Sequence, residues 1–457
     1  MVLRLALLVA AVALPAKAAQ AADGAKRVLY RKATLIDGTD MTPRADMDVL
    51  VEGERIEAVS PDRALAQNLD TAAQAQVRMV DLAGKYLMPG LIDSHVHLAT
   101  PPNQRQAMAV LRRDLYGGVT AVRDMADDLR PVGELKREAL VGEIPAPDIY
   151  YAALMAGPAF FSDPRTAQTS VGGIPGQMPW MQAVTPDTDL PLAVAMARGT
   201  GATALKLYAA LSPDMAGRIT LEAHKQGLRV WAHATLYPAK PSEVVDAGVD
   251  AISHACLLVR EPEARVAEWG QPRAPPNLLA FRKGDNPVLA KLFTDMIDRG
   301  TILDATVWTY TPPPSDVVST GSTPPLMPGG CDDVIGGAIA GQAFRAGVPV
   351  SAGTDNVAPW QDPWPDLFHE LDALHVKAGM PVAAVLRSAT VIGARAAAQD
   401  RDMGTIVPGK LADMIVLQRN PLDDLGNLKS LVMTVKRGRE YPRQAFVPLT
   451  AGDITDD

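Results

Sequence analysis

The sequence is poor in cysteine and in aromatic residues. Only two of its 457 residues are cysteines, and 5% are aromatic. Two cysteines can form neither a disulfide framework nor a cysteine-rich zinc module, which excludes the small stapled proteins. Cys256 and Cys331 lie far apart in the sequence. We expect two free or buried thiols rather than a disulfide bond, although an oxidising compartment would permit the bond.

A large excess of either charge is also absent. The formal net charge is -8, with 21% charged and 47% hydrophobic residues. The mild acidity argues against a nucleic-acid-binding protein, and the apolar content excludes a mostly disordered chain. A chain of this length can bury a large core without staples. The composition therefore predicts a globular protein and leaves its function to local motifs.

Long hydrophobic runs are absent apart from a short one near the start. It covers residues 5–15, follows Arg4 and precedes small-residue cleavage patterns at residues 16–21. A membrane span needs about 20 apolar residues, so this run is too short for an anchor. The layout is that of a secretory signal peptide at residues 1–21. We expect an exported protein, periplasmic or secreted, with no membrane contact after cleavage near Ala19 or Ala22.

Beyond this segment, both ends of the sequence predict short strands. Gly53 and the Asp37–Gly38 pair mark turns. The predicted strands cover residues 28–30, 48–51 and 55–59 near the start, and 412–417 and 431–435 near the end. Neither end has enough apolar residues for a core of its own. We therefore predict one small β-sandwich domain built from residues 22–87 and 401–457.

Residues 88–400 alternate apolar, strand-like runs with helical stretches. The eight predicted strands cover residues 91–97, 118–124, 148–154, 204–208, 229–233, 251–254, 301–306 and 348–355. Eight strand–helix units in about 300 residues predict an α/β fold with a (β/α)8 TIM-like barrel. An open doubly wound sheet is the alternative, but no Gly-x-Gly-x-x-Gly turn follows any strand.

Three connections are too long to be simple links. They cover residues 157–189, 257–286 and 311–332, and each follows a strand, which places it at the carboxyl-terminal mouth of a barrel. Their aromatic residues suit the walls of a pocket: Phe160, Phe161, Trp180, Trp269 and Phe281.

Histidine is scarce, and its placement is uneven. Four of the seven histidines end predicted strands, namely His95, His97, His233 and His254. His95 and His97 are two residues apart, so strand alternation places both imidazoles on one face, close enough to share a metal ion. Each histidine alone is more often a hydrogen-bonded core residue. Four at the strand ends of one barrel indicate a metal site.

Lys206 and Asp355 lie at comparable positions. Lys206 stands between Leu205 and Leu207 in an apolar strand, where a bare ammonium group is costly. It either extends its charge to the barrel mouth or is carboxylated by carbon dioxide to a metal-binding carbamate. Asp355 ends the eighth strand and is either a turn or cap residue or a ligand.

In this order, the residues resemble the metal ligands of the amidohydrolase superfamily. His95-x-His97 on strand one, Lys206 on four, His233 on five, His254 on six and Asp355 on eight occur in the superfamily's sequence of ligands. Residues 88–95 (MPGLIDSH), 353–355 (GTD) and 404–413 (GTIVPGKLAD) are similar to the surrounding motifs. The resemblance covers essentially the whole mature chain. It is strongest to the imidazolonepropionase-like branch, which includes exported Xaa-Pro dipeptidases and carboxypeptidase-like enzymes.

The resemblance implies two divalent metal ions, which we expect to be zinc. His95, His97 and Asp355 would hold one ion, and His233 and His254 the second. N6-carboxylated Lys206 and a hydroxide would bridge the two. Asp355 would accept the proton of the attacking hydroxide and pass it to the leaving amine.

The substrate-binding residues are less clearly marked. Tyr208 faces the same side of its strand as Lys206 and is a candidate to stabilise an oxyanion, as is Tyr237 beyond His233. Either tyrosine could instead serve packing alone. Arg165 is a candidate partner for a substrate carboxylate. The remaining three histidines, His224, His369 and His375, lie in helical stretches, where we expect surface or packing roles.

We predict a binuclear zinc amidohydrolase that cleaves a C–N bond in a short peptide or N-acyl amino acid. A lactonase, esterase or organophosphate hydrolase with the same centre is the alternative. A scaffold that has lost catalysis is a third, although every ligand position is filled. We expect a small-molecule or short-peptide substrate, no nucleic acid and no membrane partner, and a homo-oligomer is compatible with the sequence.

Overall fold

A computed structural model describes residues 27–61, 65, 77–100, 102–312, 330–355, 362–448 and 450. The predicted signal peptide and most of the third long segment lie outside these residues.

The described chain begins with five strands of one sheet. They are β1 (Arg27–Leu35), β2 (Arg44–Glu52), β3 (Arg55–Pro61), β4 (Val77–Asp81) and β5 (Tyr86–Pro89). β2 pairs antiparallel with β1 and with β3. The turn between β2 and β3 uses Gly53 at a φ of 57°, a conformation that glycine adopts without strain. β1 also pairs in parallel with β4 and β5.

The next ten strands form the barrel sheet. They are β6 (Leu91–Val96), β7 (Val119–Asp124), β8 (Asp148–Ala156), β9 (Gln177–Met178), β10 (Met181–Ala183), β11 (Ala204–Leu207), β12 (Arg229–His233), β13 (Ala251–Ser253), β14 (Ile302–Asp304) and β15 (Val350–Ser351). Eight of them run in the order β6-β7-β8-β11-β12-β13-β14-β15, and every adjacent pair is parallel. The last strand returns to the first through two backbone hydrogen bonds of 2.8 Å, from Ser94 N to Ala352 O and from Asp355 N to His95 O. The predicted α/β barrel is confirmed.

Three final strands complete the first sheet. They are β16 (Met414–Leu417), β17 (Leu431–Lys436) and β18 (Arg439–Pro442). The sheet order is β18-β17-β16-β5-β1-β2-β3, with β4 beside β1, so both ends of the chain share one sheet as predicted. The domain boundaries at residues 87 and 401 stay predictions.

Helices connect the barrel strands and pack outside them. They are α1 (Gln104–Tyr116), α2 (Leu129–Val141), α3 (Pro164–Gln168), α4 (Leu190–Gly199), α5 (Pro213–Lys225), α6 (Pro241–Asp246), α7 (Leu289–Arg299), α8 (Asp333–Ala346), α9 (Leu367–Val376), α10 (Val382–Ser388) and α11 (Val391–Ala396). Side chains of Asn103, Ser212 and Asp332 accept from free N–H groups at the starts of α1, α5 and α8. Within the described residues, we find no helix with the length and apolar character needed to cross a membrane.

The expectation of two free thiols is wrong, because Cys256 and Cys331 form a disulfide bond. Cys256 belongs to the 3-10 helix Ala255–Arg260, and Cys331 lies just before α8. These two elements pack together and bring the Cα atoms within 6.0 Å, a separation that a disulfide bridges readily. The bond therefore ties the segment after β13 to the start of α8.

Candidate metal centre

His95 is oriented by a buried carboxylate on a distant strand. It lies in β6, and its Nδ1 is 2.7 Å from Oδ2 of Asp304, the last residue of β14. Although burial opposes ionisation of Asp304, His95 and Arg123 hold the pKa of this carboxyl below its usual value. A carboxylate that engages Nδ1 leaves the other ring nitrogen free to face a metal ion. Nε2 of His95 faces Asp355 at 3.2 Å.

His97, two residues further on, has the same kind of support. Its Nδ1 lies 3.0 Å from Oδ1 of Asp127, and its Nε2 lies 3.3 Å from Oδ1 of Asp355. Asp127 also accepts hydrogen bonds from Ala99 N (2.6 Å) and Thr100 Oγ1 (2.7 Å). His95 and His97 therefore present their Nε2 atoms to one oxygen of Asp355.

Asp355 holds a backbone conformation that is uncommon for a non-glycine residue, with a φ of 47°. Its Oδ2 lies 3.5 Å from Nδ1 of His254. Burial opposes ionisation, but the electrostatic effect of His95 and His254 holds the pKa of Asp355 well below its usual range. The turn leading to it needs Gly353, since a Cβ there would overlap Oδ1 of Asp304 and Cβ of His95.

Lys206 is 1% exposed and points its amine into this centre. Nζ donates to Oγ of Ser253 over 3.3 Å, and that hydroxyl donates to Oδ2 of Asp304 over 2.9 Å. Burial lowers the pKa of Lys206 to about 7, against the opposing effect of Asp304 and Asp355. The predicted alternative of a lysine reaching the solvent at the barrel mouth is therefore wrong.

The last two histidines stand face to edge. The rings of His233 and His254 are 4.5 Å apart between centroids, at 88°. Burial lowers the pKa of His254 to about 3, and burial with the nearby Lys206 holds the pKa of His233 well below its ordinary value. Both imidazoles are therefore neutral at pH 7, the form that binds metal ions.

All eight predicted site residues line one cavity of about 310 Å³. They are His95, His97, Lys206, Tyr208, His233, Tyr237, His254 and Asp355. The tightest potential ligand group among the described residues is His95, His254 and Asp355, whose ligand atoms lie within 4.8 Å of one another. This group combines predicted ligands of both ions, so the division of ligands between two ions stays a prediction.

The residues fit a divalent metal site by their chemistry. The set contains four imidazoles and a carboxylate, which are the donors that zinc takes in proteins. His95 and His97 additionally have their Nδ1 atoms engaged by carboxylates, as metal-binding histidines usually do.

Aromatic rings cover one wall of the cavity. Tyr208 lies 3.9 Å from the ring of His233 and stacks on Phe160 at 4.4 Å, both between centroids. Burial raises the pKa of Tyr208 to about 12, so its hydroxyl stays a hydrogen-bond donor at neutral pH. The ring centroid of Tyr237 lies 5.7 Å from that of Trp269 on the same wall.

One protein family and several solved structures are similar to this chain. Residues 338–441 match the Amidohydrolase family, a segment that contains Asp355 and β16. The structure is similar to that of a Xaa-Pro dipeptidase with bound methionine, with a TM-score of 0.70 and 19% identity over 91% of this chain and 100% of that one. It is also similar to a protein from Bifidobacterium longum assigned as a prolidase, with a TM-score of 0.65 and 26% identity over 94% and 97%. These matches are consistent with the amidohydrolase superfamily.

Similarity to curated proteins covers shorter segments of the chain. The chain is 30% identical to D-hydantoinase from Streptomyces coelicolor over 118 residues, which are 25% of this chain and 23% of that protein. It spans less than a quarter of the length of the curated relatives that it matches.

The sequence did not single out the carboxylates that support the histidines. Asp304 and Asp127 lie at or just beyond strand ends. A carboxylate there can also be a turn or cap residue, so neither position indicated a role in the site. Tyr310, which also lines the cavity, comes directly before the third long segment. Like Tyr208 and Tyr237, it follows a barrel strand, and this is the signal that could have found it.

The other predicted pocket residues are confirmed only in part, because Phe161, Trp180 and Phe281 do not line the cavity. Arg165 and two of the five loop aromatics, Phe160 and Trp269, line the cavity. The three remaining histidines lie outside it: His224 pairs with Asp250 at 2.9 Å, His369 stacks on Trp308, and His375 bonds Met380 O.

Proposed function

We propose that this chain is an exported hydrolase that uses two divalent cations, of which zinc is the best match, to cleave an amide bond in a short peptide or N-acyl amino acid. The observation that carries the proposal is the convergence of four histidines, Lys206 and Asp355 on one cavity. His95, His97, His233, His254 and Asp355 would hold the cations together with Lys206.

Lys206 would contribute as a carbamate. Because burial lowers its pKa to about 7, a large part of the amine is neutral and nucleophilic at neutral pH. Its nitrogen adds to the carbon of carbon dioxide, one proton leaves to solvent, and the product carries a single negative charge. The carbamate replaces a buried cation with two oxygen atoms, which would bind a divalent metal ion together with the neighbouring imidazoles.

The chain's own residues then move the proton. Bound divalent cations would lower the pKa of the attacking water and polarise the substrate carbonyl. Oδ1 of Asp355 faces Nε2 of His95 and of His97, the atoms with which it would share a cation. Oδ2, which lies 3.5 Å from Nδ1 of His254, would accept the proton from the water. Asp355 would return this proton to the leaving nitrogen as the C–N bond breaks, so the amine departs neutral and the acyl group is left as the carboxylic acid.

The cavity wall would position the substrate. Tyr208 lies against His233 and retains its hydroxyl proton, so it can donate to the oxyanion that forms as the carbonyl is attacked. Apolar side chains such as Phe160, Leu154 and Met181 limit the access of bulk water. The relatives' names, Xaa-Pro dipeptidase, prolidase and D-hydantoinase, favour an amide substrate over an ester.

Metal analysis combined with a substrate screen tests the proposal. Protein purified with zinc and bicarbonate should hold two divalent ions per chain. Its highest kcat/KM should fall on a dipeptide or an N-acyl amino acid when lactones, aryl esters, organophosphates and cyclic amides are assayed in parallel.

A matched pair of lysine variants separates the centre from general effects. Lys206→Ala should lose metal and most activity, whereas Lys225→Ala, at an exposed lysine that pairs with Glu222, should keep both. Full activity in Lys206→Ala, or a preference for esters or phosphate esters in the screen, would refute the proposal.

Export rests on the apolar run and small-residue patterns of residues 1–21. The disulfide between Cys256 and Cys331 supports it, since such bonds persist in oxidising compartments. Expression with these residues intact should release a shortened chain beginning near Ala19 or Ala22, read by amino-terminal sequencing. A full-length chain retained in the cytoplasm would contradict export.

A further inference from the structure

Arg273 lies over the aromatic wall of the cavity. It belongs to the segment between two 3-10 helices after β13, Ala255–Arg260 and Leu278–Phe281. The central carbon of its guanidinium is 4.4 Å from the ring centroid of Tyr237 and 5.7 Å from that of Trp269. Tyr237 and Trp269 both line the cavity, so Arg273 lies directly behind or above its wall.

The charge of Arg273 has no counterpart among the residues that the structure describes. Its Nη1 is buried without a hydrogen-bond partner, and none of its nitrogens forms an ion pair within the described ranges. A buried, unsatisfied charged donor is costly, so such groups in folded proteins usually have a partner. A ligand with a negative charge would supply one.

Arg165, the residue that the sequence suggested for this role, is already paired. Its Nε and Nη2 bond both carboxylate oxygens of Asp163 over 3.0 and 2.8 Å. This two-pronged pair uses the face of the guanidinium that a substrate carboxylate would need. Arg165 therefore lines the cavity with its charge already compensated by Asp163.

A continuous series of ring contacts connects Arg273 to the metal centre. From His233 the series passes to Tyr208, then to Phe160 at 4.4 Å, and from Phe160 to Trp269 at 5.4 Å between centroids. The last ring of the series, Trp269, lies 5.7 Å from the guanidinium of Arg273, so the metal centre and Arg273 border the same aromatic wall.

We propose that Arg273 binds the free carboxylate of the substrate and thereby selects N-acyl amino acids and short peptides over their neutral amides. This inference rests on the proposed function. Arginine presents two parallel N–H donors that match a carboxylate, and the rings of Tyr237 and Trp269 hold its plane in place.

The test compares N-acetyl-L-phenylalanine with its primary carboxamide as substrates of the zinc-loaded, full-length mature protein. The wild type should favour the acid, and Arg273→Gln should lower kcat/KM for the acid by about 10- to 100-fold while leaving the carboxamide unchanged. Arg273→Lys keeps the charge but loses the paired donors, so its kcat/KM for the acid should lie between those of the wild type and Arg273→Gln. Arg265→Gln is the matched control, because Arg265 belongs to the same segment but is exposed and pairs with Glu268.

Binding of 3-phenylpropionate, measured by calorimetry against neutral 3-phenylpropanol, gives a readout that needs no turnover. Arg273-dependent binding of the acid without hydrolysis of any amide would refute the proposed function and support this inference. Hydrolysis of amides with equal kcat/KM for the acid and the carboxamide would support the proposed function and refute the role of Arg273. The inference is also overturned if Arg165→Gln, and not Arg273→Gln, abolishes the preference for the acid.

Discussion

Asp304 is a buried carboxylate that contacts three separate parts of the candidate metal centre. Its Oδ2 accepts a hydrogen bond from the hydroxyl of Ser253, and that hydroxyl accepts one from Lys206. The same oxygen lies 2.7 Å from Nδ1 of His95. Nη2 of Arg123 lies 3.1 Å from the same oxygen, and Arg123 also stacks over Trp231 in the barrel interior. A single side chain thus fixes one histidine and the environment of the lysine.

Replacing Asp304 should weaken metal binding without removing a ligand. In Asp304→Asn, the charge that fixes the His95 tautomer is lost, and we expect metal affinity to fall by about 10- to 100-fold. Competition with a zinc chelator measures the change. The control is Asp250→Asn, because Asp250 pairs with His224 outside the cavity and its loss should leave the affinity unchanged. Equal affinities in the wild type and Asp304→Asn would contradict an orienting role.

The two predicted tyrosines should differ in their effect on turnover. Tyr208 lies against His233, whereas Tyr237 lies under Arg273, so only the former is placed beside the reacting carbonyl. Tyr208→Phe should lower kcat by about 100-fold, as the loss of an oxyanion donor does. Tyr237→Phe should mainly raise KM. Steady-state kinetics distinguish the two, and an unchanged kcat in Tyr208→Phe would exclude it as an oxyanion donor.

At the scale of elements, unusual backbone conformations collect at one end of the barrel. Six non-glycine residues with positive φ follow barrel strands, namely Ala126, Ala210, Tyr237, His254, Thr306 and Asp355. Such conformations cost free energy and persist where the surrounding structure demands them. Two of the six are candidate ligands, so the strained positions coincide with the proposed centre.

The sequence predicted the barrel strands from their apolar runs, and several of these runs lead to a chemically distinctive residue. His233 ends β12, whereas Asp355 follows β15 by four residues, and both line the same cavity. Asp304 was within a predicted strand but carried no signal of its own, since its partner His95 is 209 residues away. Tertiary pairing of this kind is not encoded in local periodicity.

The disulfide was mispredicted for the same reason. Whether Cys256 and Cys331 meet depends on the packing of the 3-10 helix after β13 against α8, which no local pattern reveals. The bond closes a loop with a sequence separation of 75 residues.

Breaking this bond should lower stability substantially. Closing a loop of this length restricts the unfolded chain, so Cys256→Ser, Cys331→Ser and the double variant should each lose about 2 to 5 kcal/mol in the free energy of unfolding. Denaturant titration measures the loss, and the three values should agree, because either substitution removes the bond. A reduced wild type as stable as the oxidised protein would contradict the prediction.

At the scale of the whole molecule, buried charges join the terminal sheet to the barrel. Asp148, at the start of β8, bonds Lys436 and Arg437 from the end of β17 over 2.8 Å each. Asp413, beside β16, accepts from the backbone N–H of Arg437 over 2.7 Å, and its Oδ2 has no hydrogen-bond partner among the described residues. Two carboxylates and two cations therefore meet where the two sheets adjoin.

Burial, together with the charge of Asp148, raises the pKa of Asp413 to about 7. The unfolded chain releases this proton near pH 4, so between about pH 4 and 7 the folded state binds more protons than the unfolded state. The contribution of Asp413 to stability is therefore complete below about pH 4 and is lost as the pH rises through 7.

Asp413→Asn cannot titrate, so its free energy of unfolding relative to the wild type should increase from pH 4 to pH 8, by an amount of the order of 4 kcal/mol. Unfolding in urea at a series of pH values measures this difference. The protonation of all other groups is common to both proteins and therefore cancels. Asp423→Asn is the control, because Asp423 is exposed and its substitution should give a difference that is flat with pH. A flat difference for Asp413→Asn as well would mean that Asp413 is already ionised in the folded protein at pH 4, with Lys436 and Arg437 compensating its burial. The slope therefore decides whether Asp413 is protonated or ionised in the folded protein between pH 4 and 7.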